Sequence, residues 1–495
     1  MTGLSQKGLI LSAPAPDLII IGAGAAGLEI ARTASRAGKR VVLFEQGTPS
    51  GRHIFQRIPL MVGKVIGNPA FVDARQSVAQ APAAGRQLPV LTGRGLGGSS
   101  RVNGNVAYAG DNARYAHVFA PLGLDFSDIL KGLETSADHP IPRAHSWSDA
   151  LSARFTQAAG DAASILHVNT KRGLRYNHYD GYRKTADHSR ITVIRAAVDR
   201  LLLDGTRVTG VAYQGQTLLG ARVVLCAGAI GSPALMLRSG IGAPDMLTQA
   251  GVAPTHALPH VGQHLKDHAN LRIPFSCPGY DTLNQKTRGL AALWEGIKFV
   301  LGRKNTALRG PGASAGINIA TDDLNTDAVR IQLVHFTQDR SAVSQKGIVF
   351  ETAQKASLGI YALWPKSEGS VTLTPKGLAI DQGFLRDPAD MATMQAGLAH
   401  ARRLIGQMGF APDPQDGDDD SLIRGGVYSG YHLLGSNRMG LDASDSVVNA
   451  QFDVHGLGGL AVCDASVMPD HLSSHSYLPT IALARMFATQ QGWAV

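Results

Sequence analysis

The sequence predicts an α/β fold with a parallel sheet, interrupted by an inserted α+β domain with mostly antiparallel strands. Three observations predict it. Residues 17–47 read as strand, glycine turn, helix and strand; the pattern changes between residues 276 and 408; and α/β patterns return from residue 456. A chain of 495 residues is long enough for two or three compact units.

The opening unit has the pattern of a dinucleotide-binding turn. Leu18 to Ile21 is a continuous apolar run, as in a parallel strand covered on both faces, and Val41 to Phe44 is a second strand. Between them Gly22, Gly24 and Gly27 have the spacing G-x-G-x-x-G. These glycines permit the turn, the approach of a pyrophosphate and close helix packing.

Glu45 follows the second strand, where a carboxylate can accept hydrogen bonds from a ribose 2'-hydroxyl. An acid at this position disfavours a 2'-phosphate, which argues against NADP. The opening unit by itself leaves NAD and FAD open.

Composition excludes several classes of protein. The hydrophobic fraction of 44% and the charged fraction of 17% are typical of a soluble globular protein. No apolar run reaches the ~18 residues of a membrane span. The net charge is +9, but the Lys and Arg residues are scattered without interleaved aromatics, so we expect no nucleic-acid partner. Three widely separated cysteines argue against a disulfide framework and a metal site.

The first half of the chain continues with two less regular stretches. Residues 46–89 show no clean period, and we interpret them as an excursion around a bound cofactor. Residues 91–106 are rich in glycine and small side chains. They can lie against a flat ligand or a pyrophosphate, although an ordinary loop between strands explains them equally well.

The middle of the chain returns to α/β patterns. ITVI from Ile191 and VTGVAY from Val208 read as strands around a turn at Asp204. Residues 221–242 read as a buried strand, a glycine turn and a helix with Pro233 in its first turn.

The second domain begins near residue 276. The segment around Trp294 predicts an amphipathic helix, and IQLVHF, LGIYALW and GSVTLT predict strands. Residues 390–408 predict a helix with a core stripe, which contains Met391, Met394, Leu398, Ala401 and Leu404. The tail predicts a strand that ends at Asp464 and a closing helix that starts near Pro479.

Five motifs in order resemble the glucose-methanol-choline (GMC) oxidoreductases. They are the Gly22 unit, GRGLGGSSRVNGN from Gly93, GAIGSPALMLRSGIG from Gly228, VGQHLKDH from Val261, and the tail, in which HLLGSNRMG and VCDASVMPDHLSSHSYLPT count together as the fifth. The resemblance covers nearly the whole chain. It implies a Rossmann-like FAD-binding domain of GMC type at residues 1–150, 186–275 and 430–495. The substrate domain, built on an antiparallel sheet, would comprise residues 151–185 and 276–429.

The resemblance also implies where FAD would lie. The Gly22 turn would hold the pyrophosphate, Glu45 the ribose, Val198 the adenine through its backbone, and the tail the ribityl chain and pyrimidine edge. The implied FAD-binding residues are Gly22, Gly24, Ala25, Ala26, Gly27, Glu45, Gly97, Gly98, Ser99, Asn103, Gly104, Val198, Asp464, Ala465, Pro479 and Thr480. Val102 stands near a position where some relatives carry a histidine tethered to flavin, so we expect non-covalent FAD.

The implied chemistry is oxidation of a primary or secondary alcohol to an aldehyde or ketone, with hydride transfer to flavin N5. Such a reaction requires a base for the hydroxyl proton, and a neutral imidazole is the usual acceptor. His432 and His475 match the catalytic pair of the family. We assign His432 as the principal base and His475 as the residue that orients the alkoxide, and an exchange of these roles remains open.

Other histidines receive structural roles. No metal-ligand spacing surrounds His471, His264 or His268, so we expect no bound metal. We expect His264 and His268 to be structural residues in a loop over the pocket. Tyr361, Trp364, His335 and Phe336 are candidates for the pocket or for core packing.

The alternative function is a lyase or a light-driven decarboxylase on the same scaffold. The electron acceptor is oxygen or another molecule, and the substrate and the oligomeric state stay undetermined. The short apolar patch at the N-terminus is too short for a secretory signal, so we expect a cytoplasmic protein.

Overall fold

The computed structural model describes residues 15–47, 53–135, 141–320, 327–338, 348–415 and 417–493. The short apolar patch at the N-terminus lies outside the described residues. In chain order, the strands of the described residues are β1 Leu18–Ile21, β2 Val41–Phe44, β3 Val72–Gln76, β4 Pro89–Gly93, β5 Ala144–His145, β6 Ser164–Ile165, β7 His167–Val168, β8 Thr170–Lys171, β9 Leu174–Arg175, β10 Ile191–Ile194, β11 Arg200–Asp204, β12 Arg207–Tyr213, β13 Gln216–Leu219, β14 Val223–Leu225, β15 Ile241–Gly242, β16 His256–Ala257, β17 Ala269–Ser276, β18 Ala313–Ala320, β19 Asp327–Val334, β20 Lys355–Ala362, β21 Ser370–Thr374, β22 Gly377–Asp381, β23 Tyr428–Ser429 and β24 Leu460–Val462. The helices are α1 Ala25–Arg36, α2 Ile54–Arg57, α3 Asn112–Phe119, α4 Phe126–Thr135, α5 Ala150–Ala159, α6 His178–Thr185, α7 Gly228–Arg238, α8 Pro244–Gln249, α9 Leu283–Lys286, α10 Gly289–Val300, α11 Pro388–Gln407, α12 Asp419–Gly426 and α13 Tyr477–Gln490.

A five-stranded parallel sheet forms the centre of the first unit. Its strand order is β10-β2-β1-β14-β24, and every neighbouring pair is parallel. All four residues of β1 are buried, because helices and loops cover both faces of the sheet. The predicted α/β class is confirmed, with β1 and β2 at the residues the sequence indicates. The last strand of the sheet, β24, comes from the tail of the chain.

Helix α7 begins earlier than the sequence predicts. The expectation put Pro233 in its first turn, but α7 starts at Gly228, so the proline lies inside the helix. Proline has no N–H to donate to the carbonyl of Ala229. The hydroxyl of Ser436 donates to that carbonyl instead, across 207 residues of sequence. A distant side chain therefore permits the longer helix.

A six-stranded antiparallel sheet forms the second unit, in the order β23-β17-β20-β19-β18-β6. Helix α11 packs its apolar stripe against this sheet, and the five stripe residues predicted from the sequence are buried. IQLVHF and LGIYALW contribute to β19 and β20. The antiparallel sheet that the sequence predicts is confirmed.

Three elements differ from the sequence expectations. ITVI forms β10, which pairs with β2 in the parallel sheet, and the turn at Asp204 joins β11 to β12 instead. GSVTLT contributes β21, which pairs with β22 in a separate hairpin. Helix α13 starts at Tyr477, so Pro479 lies in its first turn, where a missing N–H costs nothing.

The border between the two units passes through β17. The sequence expectation ended the FAD-binding segment at residue 275, whereas residues 269–276 form a strand of the antiparallel sheet. Helix α6, expected in the substrate domain, packs on α1, and the ring of His178 contacts Glu29. We therefore propose that the FAD-binding domain includes α6 and that its middle segment ends near residue 268, before the chain returns to this domain in the tail.

Among the described residues, none of the helices combines the length and the apolar character needed to cross a bilayer.

Candidate active site

The turn between β1 and α1 is built so that only glycine fits. Gly22 has φ +103°, and a Cβ there would lie 2.4 Å from the carbonyl oxygen of Cys226. A Cβ on Gly27 would lie 2.0 Å from the carbonyl oxygen of Gly22. Helix α1 begins with Gly24 as its N-cap, without a side-chain cap and without an acid in its first turn. The amides of Ala25 and Ala26 at this helix end are therefore suited to hold a phosphate group.

Glu45 joins this turn to a second glycine-rich segment. Its carboxylate accepts hydrogen bonds from the backbone N–H groups of Ala23 (3.1 Å), Gly47 (2.7 Å) and Gly95 (3.0 Å). The residue is buried at the end of β2. Besides the expected contact with a ribose, Glu45 thus organises three backbone segments of the same cradle.

The second glycine segment touches the first directly. The N–H of Gly97 donates to the carbonyl of Ala23 (2.8 Å), and a Cβ on Gly98 would lie 2.8 Å from the Cα of Gly24. Ser99 is next in this segment, and its hydroxyl accepts from the N–H of Gly93 (3.0 Å). The structure therefore brings these predicted residues together at the N-terminal end of α1.

Asn103 and Gly104 lie further along the same segment. The side-chain oxygen of Asn103 accepts from the N–H of Asn105 and from the buried guanidinium of Arg175. Gly104 is exposed, and a Cβ there would meet no protein atom within 4 Å. Protein packing therefore gives no reason for glycine at position 104. Val198, expected beside the adenine, is buried in the loop between β10 and β11.

The tail of the chain supplies a second wall. Asp464 follows β24, and its carboxylate accepts from the Ser232 hydroxyl (2.6 Å), the Gly228 N–H (2.7 Å) and the Ser466 N–H (2.8 Å). Burial raises the pKa of this carboxyl group. Asp464 therefore fixes the start of α7 and the turn at Ala465.

Pro479 and Thr480 lie in the first turn of α13, and the Thr480 hydroxyl donates to the carbonyl of Ser476 (2.7 Å). A glycine cradle, a helix N-terminus free of acids and this second helix start together fit a dinucleotide such as FAD.

His432 and His475 come together although they lie on separate loops. Their ring centroids are 4.7 Å apart. His432 follows β23, and its backbone N–H donates to the buried carboxylate of Asp267 (2.9 Å). His475 precedes α13 and contacts the carbonyl of Val106.

The hydrogen bonds of three rings determine which nitrogens carry protons. Nε2 of His268 lies 3.0 Å from the carbonyl of Leu363, so in a neutral ring Nε2 carries the proton and Nδ1 accepts. Nδ1 of His432 lies 3.0 Å from this acceptor and must donate, which leaves Nε2 of His432 with a lone pair. Nδ1 of His475 donates to Val106 (3.2 Å), so its Nε2 also carries a lone pair.

Burial keeps these rings neutral. It lowers the pKa of His475 to about 3, with the nearby positive charge of Arg330 as the second cause, and it lowers the pKa of His268 to about 4. The pKa of His432 lies well below its ordinary value for the same main reason. Both rings of the pair are therefore neutral near pH 7, and each can accept a hydrogen bond at Nε2.

Two residues of this site were not assigned a catalytic role from the sequence. His268, expected to be a structural loop residue, contacts the proposed base through Nδ1 and stacks on His471 with ring centroids 3.7 Å apart. Asp267 accepts from the backbone of His432, and burial raises its pKa to about 7. The motif VGQHLKDH was the signal that could have indicated both. No group of three metal-liganding side chains occurs in the described part of the chain.

The four residues named as pocket candidates from the sequence lie in different parts of the structure. The ring of Tyr361 lies 6.4 Å from that of His432, near the histidine pair. Trp364 packs under the guanidinium of Arg114 at 3.5 Å. His335 accepts or donates a hydrogen bond with Ser314 in another cluster, which also contains Phe336.

A basic residue stands beside the pair. The guanidinium of Arg330 lies 4.0 Å from the ring centre of Tyr108, donates to the Asn318 side chain (2.8 Å) and is almost fully buried. The Tyr108 ring lies 6.4 Å from that of His475. A guanidinium thus lies close enough to His475 for its charge to lower the pKa of that ring.

Family models match three segments of the chain. The N-terminal model of the GMC oxidoreductases matches residues 146–270 and the C-terminal model matches residues 365–484. An FAD-binding domain model matches residues 17–56.

Curated relatives are similar over nearly their whole lengths. An oxygen-dependent choline dehydrogenase from Chromohalobacter salexigens is 28% identical, with 95% of this chain and 94% of the relative covered. An alcohol dehydrogenase [acceptor] from Pseudomonas putida is 27% identical, with 94% of each covered.

Solved structures share the fold. A pyridoxine 4-oxidase from Mesorbium loti has a TM-score of 0.83 at 22% identity, covering 96% of this chain and 99% of that one. A formate oxidase from Aspergillus oryzae RIB40, studied for modification of its FAD, has a TM-score of 0.82 at 18% identity, covering 97% and 98%.

Proposed function

The chain belongs to the GMC oxidoreductase family, and from this premise we propose that it oxidises a primary or secondary alcohol to an aldehyde or ketone. The single observation that carries the proposal is the histidine pair. Two half-buried, neutral rings lie 4.7 Å apart, and each presents the lone pair of Nε2. This arrangement is suited to accept and orient a hydroxyl group.

His432 is the better base of the two. When its Nε2 takes the hydroxyl proton, the ring becomes positively charged and its Nδ1–H still donates to the neutral ring of His268. His475 lies beside the positive charge of Arg330, which disfavours a second positive charge there. His475 therefore holds the hydroxyl oxygen in position while His432 removes the proton. FAD, when bound, supplies the acceptor for the hydride at flavin N5.

The fit of FAD rests on the glycine cradle, Glu45 and the start of α13. Val102, near the tethering position of some relatives, has no nucleophilic atom, so we propose non-covalent FAD. Acid precipitation of the purified holoenzyme should leave the flavin in the supernatant. Flavin that stays with the precipitate contradicts this proposal.

The charge of Arg330 bears on the charge of the substrate that we propose. A buried guanidinium beside His475 repels a cation, so we propose an uncharged alcohol. Choline, the substrate named for a relative, should be a poor substrate here.

The cytoplasmic location stays a prediction.

The decisive experiment is anaerobic mixing of the holoenzyme with a series of aliphatic, aryl and sugar alcohols and choline. Bleaching of the oxidised flavin by an uncharged alcohol is the expected result. If choline bleaches it fastest, the proposed substrate charge is wrong. If no alcohol bleaches it, the proposal fails and the lyase or decarboxylase alternative gains, because those reactions need no net reduction of flavin by an alcohol.

The electron acceptor is a separate question. Oxygen consumption with release of hydrogen peroxide identifies an oxidase, whereas reduction of dyes or quinones alone identifies a dehydrogenase.

A further inference from the structure

Helix α10 presents its apolar face to solvent. Six large apolar side chains at helical spacing form one outward stripe, which we call the α10 stripe. They are exposed to the following fractions: Leu290 84%, Leu293 61%, Trp294 57%, Ile297 40%, Val300 85% and Leu301 65%. A helix that packs on a core normally turns this face inward. Contiguous exposed apolar side chains of this number indicate a binding surface.

Buried polar contacts hold the helix in this orientation. Glu295, on the inner face, is only 4% exposed. Its carboxylate accepts from the N–H of Ala307 (2.8 Å) and from Lys298 Nζ (2.6 Å). The hydroxyl of Thr306 donates to the carbonyl of Glu295 (3.2 Å). Turning the stripe inward would break these bonds and leave the polar groups without their partners, so the outward stripe is a property of the fold.

The surroundings of the stripe are basic. Between residues 281 and 310 there are two acids and six bases, and one acid, Glu295, is buried against Lys298. Arg288 precedes the helix, and Arg303 and Lys304 follow it; all three are exposed. The whole chain carries a net charge of +9. An apolar stripe between exposed cations matches the chemistry of an anionic lipid surface.

We propose that α10 docks this protein on an anionic phospholipid membrane, with the helix lying in the plane of the interface and the α10 stripe among the acyl chains. Arg288, Arg303 and Lys304 then meet the lipid phosphates. A second copy of the chain is a poorer occupant, because it would bring the same cations face to face. The proposal goes beyond the alcohol oxidation proposed above and does not depend on it.

The test uses the full-length holoenzyme and vesicles of two compositions, phosphatidylcholine alone and phosphatidylcholine with phosphatidylglycerol. Sedimentation should recover at least ~tenfold more protein with the anionic vesicles, and added salt should reduce this recovery. A triple variant, Leu290→Gln, Leu293→Gln and Ile297→Gln, should lose binding to both. Leu441→Gln, an exposed position on another surface (76% exposed), is the matched control and should bind like wild type.

Two further measurements keep the proposal falsifiable. The triple variant should keep the circular dichroism spectrum and the melting temperature of the wild type, because the stripe lies on the outside of the fold, and these readouts show that the variant is folded. Wild-type protein that stays with neither vesicle overturns the proposal. So does a concentration-dependent dimer, seen by sedimentation, that the triple variant abolishes.

Discussion

His432 and His475 are the same residue type in similar burial, yet their neighbours give them different abilities. The ring of His432 donates to another imidazole, His268, and the ring of His475 donates to a backbone carbonyl near Arg330. A neutral imidazole and a carbonyl are both good acceptors, so the charge of Arg330 makes the difference. At this scale, the proposed division of roles between the two rings rests on the charge near His475.

The first prediction concerns the two rings. His432→Gln should slow anaerobic flavin reduction by about a hundredfold or more, because no base of similar strength replaces the imidazole. His475→Gln should cost less, because glutamine still offers a polar group to the hydroxyl. Stopped-flow absorbance measures both rates, and His145→Gln, an exposed position, serves as the control. A larger loss in His475→Gln would exchange the two roles.

The second prediction concerns pH. Because burial lowers the pKa of His432, proton binding to this base begins at a lower pH than in free histidine, and the active neutral form persists under mild acid. The rate of flavin reduction should therefore stay level as the pH falls from 8 through about 6.5, the ordinary midpoint of histidine. A fall in this rate centred near pH 6.5 would show that the base has an ordinary pKa in the holoenzyme.

At the scale of single elements, buried ion pairs join helices in a way that the sequence of one helix does not reveal. Glu29 lies on the buried side of α1 and is 0% exposed. Its carboxylate pairs with Arg32 (2.8 Å), with His178 of α6 (2.8 Å) and with Arg485 of α13 (2.9 Å). One carboxylate therefore joins three helices behind the parallel sheet.

The third prediction follows at this scale. Glu29→Gln should lower the free energy of unfolding by about 3 kcal/mol, because it removes a carboxylate that pairs with two buried guanidinium groups. Urea unfolding followed by circular dichroism measures the change. Asp128→Asn removes an exposed i,i+3 pair with Lys131 and should change stability by less than ~1 kcal/mol. Equal effects of the two substitutions would mean that the buried cluster contributes no more than a surface pair.

At the scale of the whole molecule, segments from both ends of the sequence form the proposed FAD site. The first glycine turn, the segment that follows β4 and the tail after β24 meet at one end of the parallel sheet. Since these segments are far apart in the chain, a ligand that touches all of them stabilises the assembled fold against unfolding.

The fourth prediction is that removal of FAD lowers stability. Free FAD at ~100 times its Kd should add about 2.7 kcal/mol relative to the apoprotein, provided that it binds only the folded state. Thermal unfolding at several FAD concentrations measures this. FMN, which lacks the adenosine, should stabilise much less, because we propose that Glu45 and the Gly22 turn hold the adenosine and pyrophosphate end. Equal stabilisation by FMN would contradict that assignment.

Local chemistry let the sequence predict the fold class and the opening unit, whereas the histidine pair followed from the resemblance to the GMC family and its catalytic role stays a prediction. The strands at Leu18–Ile21 and Val41–Phe44 and the glycines between them have requirements that lie within a few residues of each other. The apolar stripe of α11 was likewise predictable, because helical spacing alone reveals it.

Only the tertiary structure decided the rest, because it depends on residues that are far apart in the chain. Sequence spacing could not reveal that His268 contacts a ring 164 residues away, or that Ser436 satisfies a carbonyl 207 residues away inside α7. Periodicity predicted an amphipathic helix around Trp294 but not the direction of its apolar face. The buried contacts of Glu295 with Ala307 and Lys298 decide that direction.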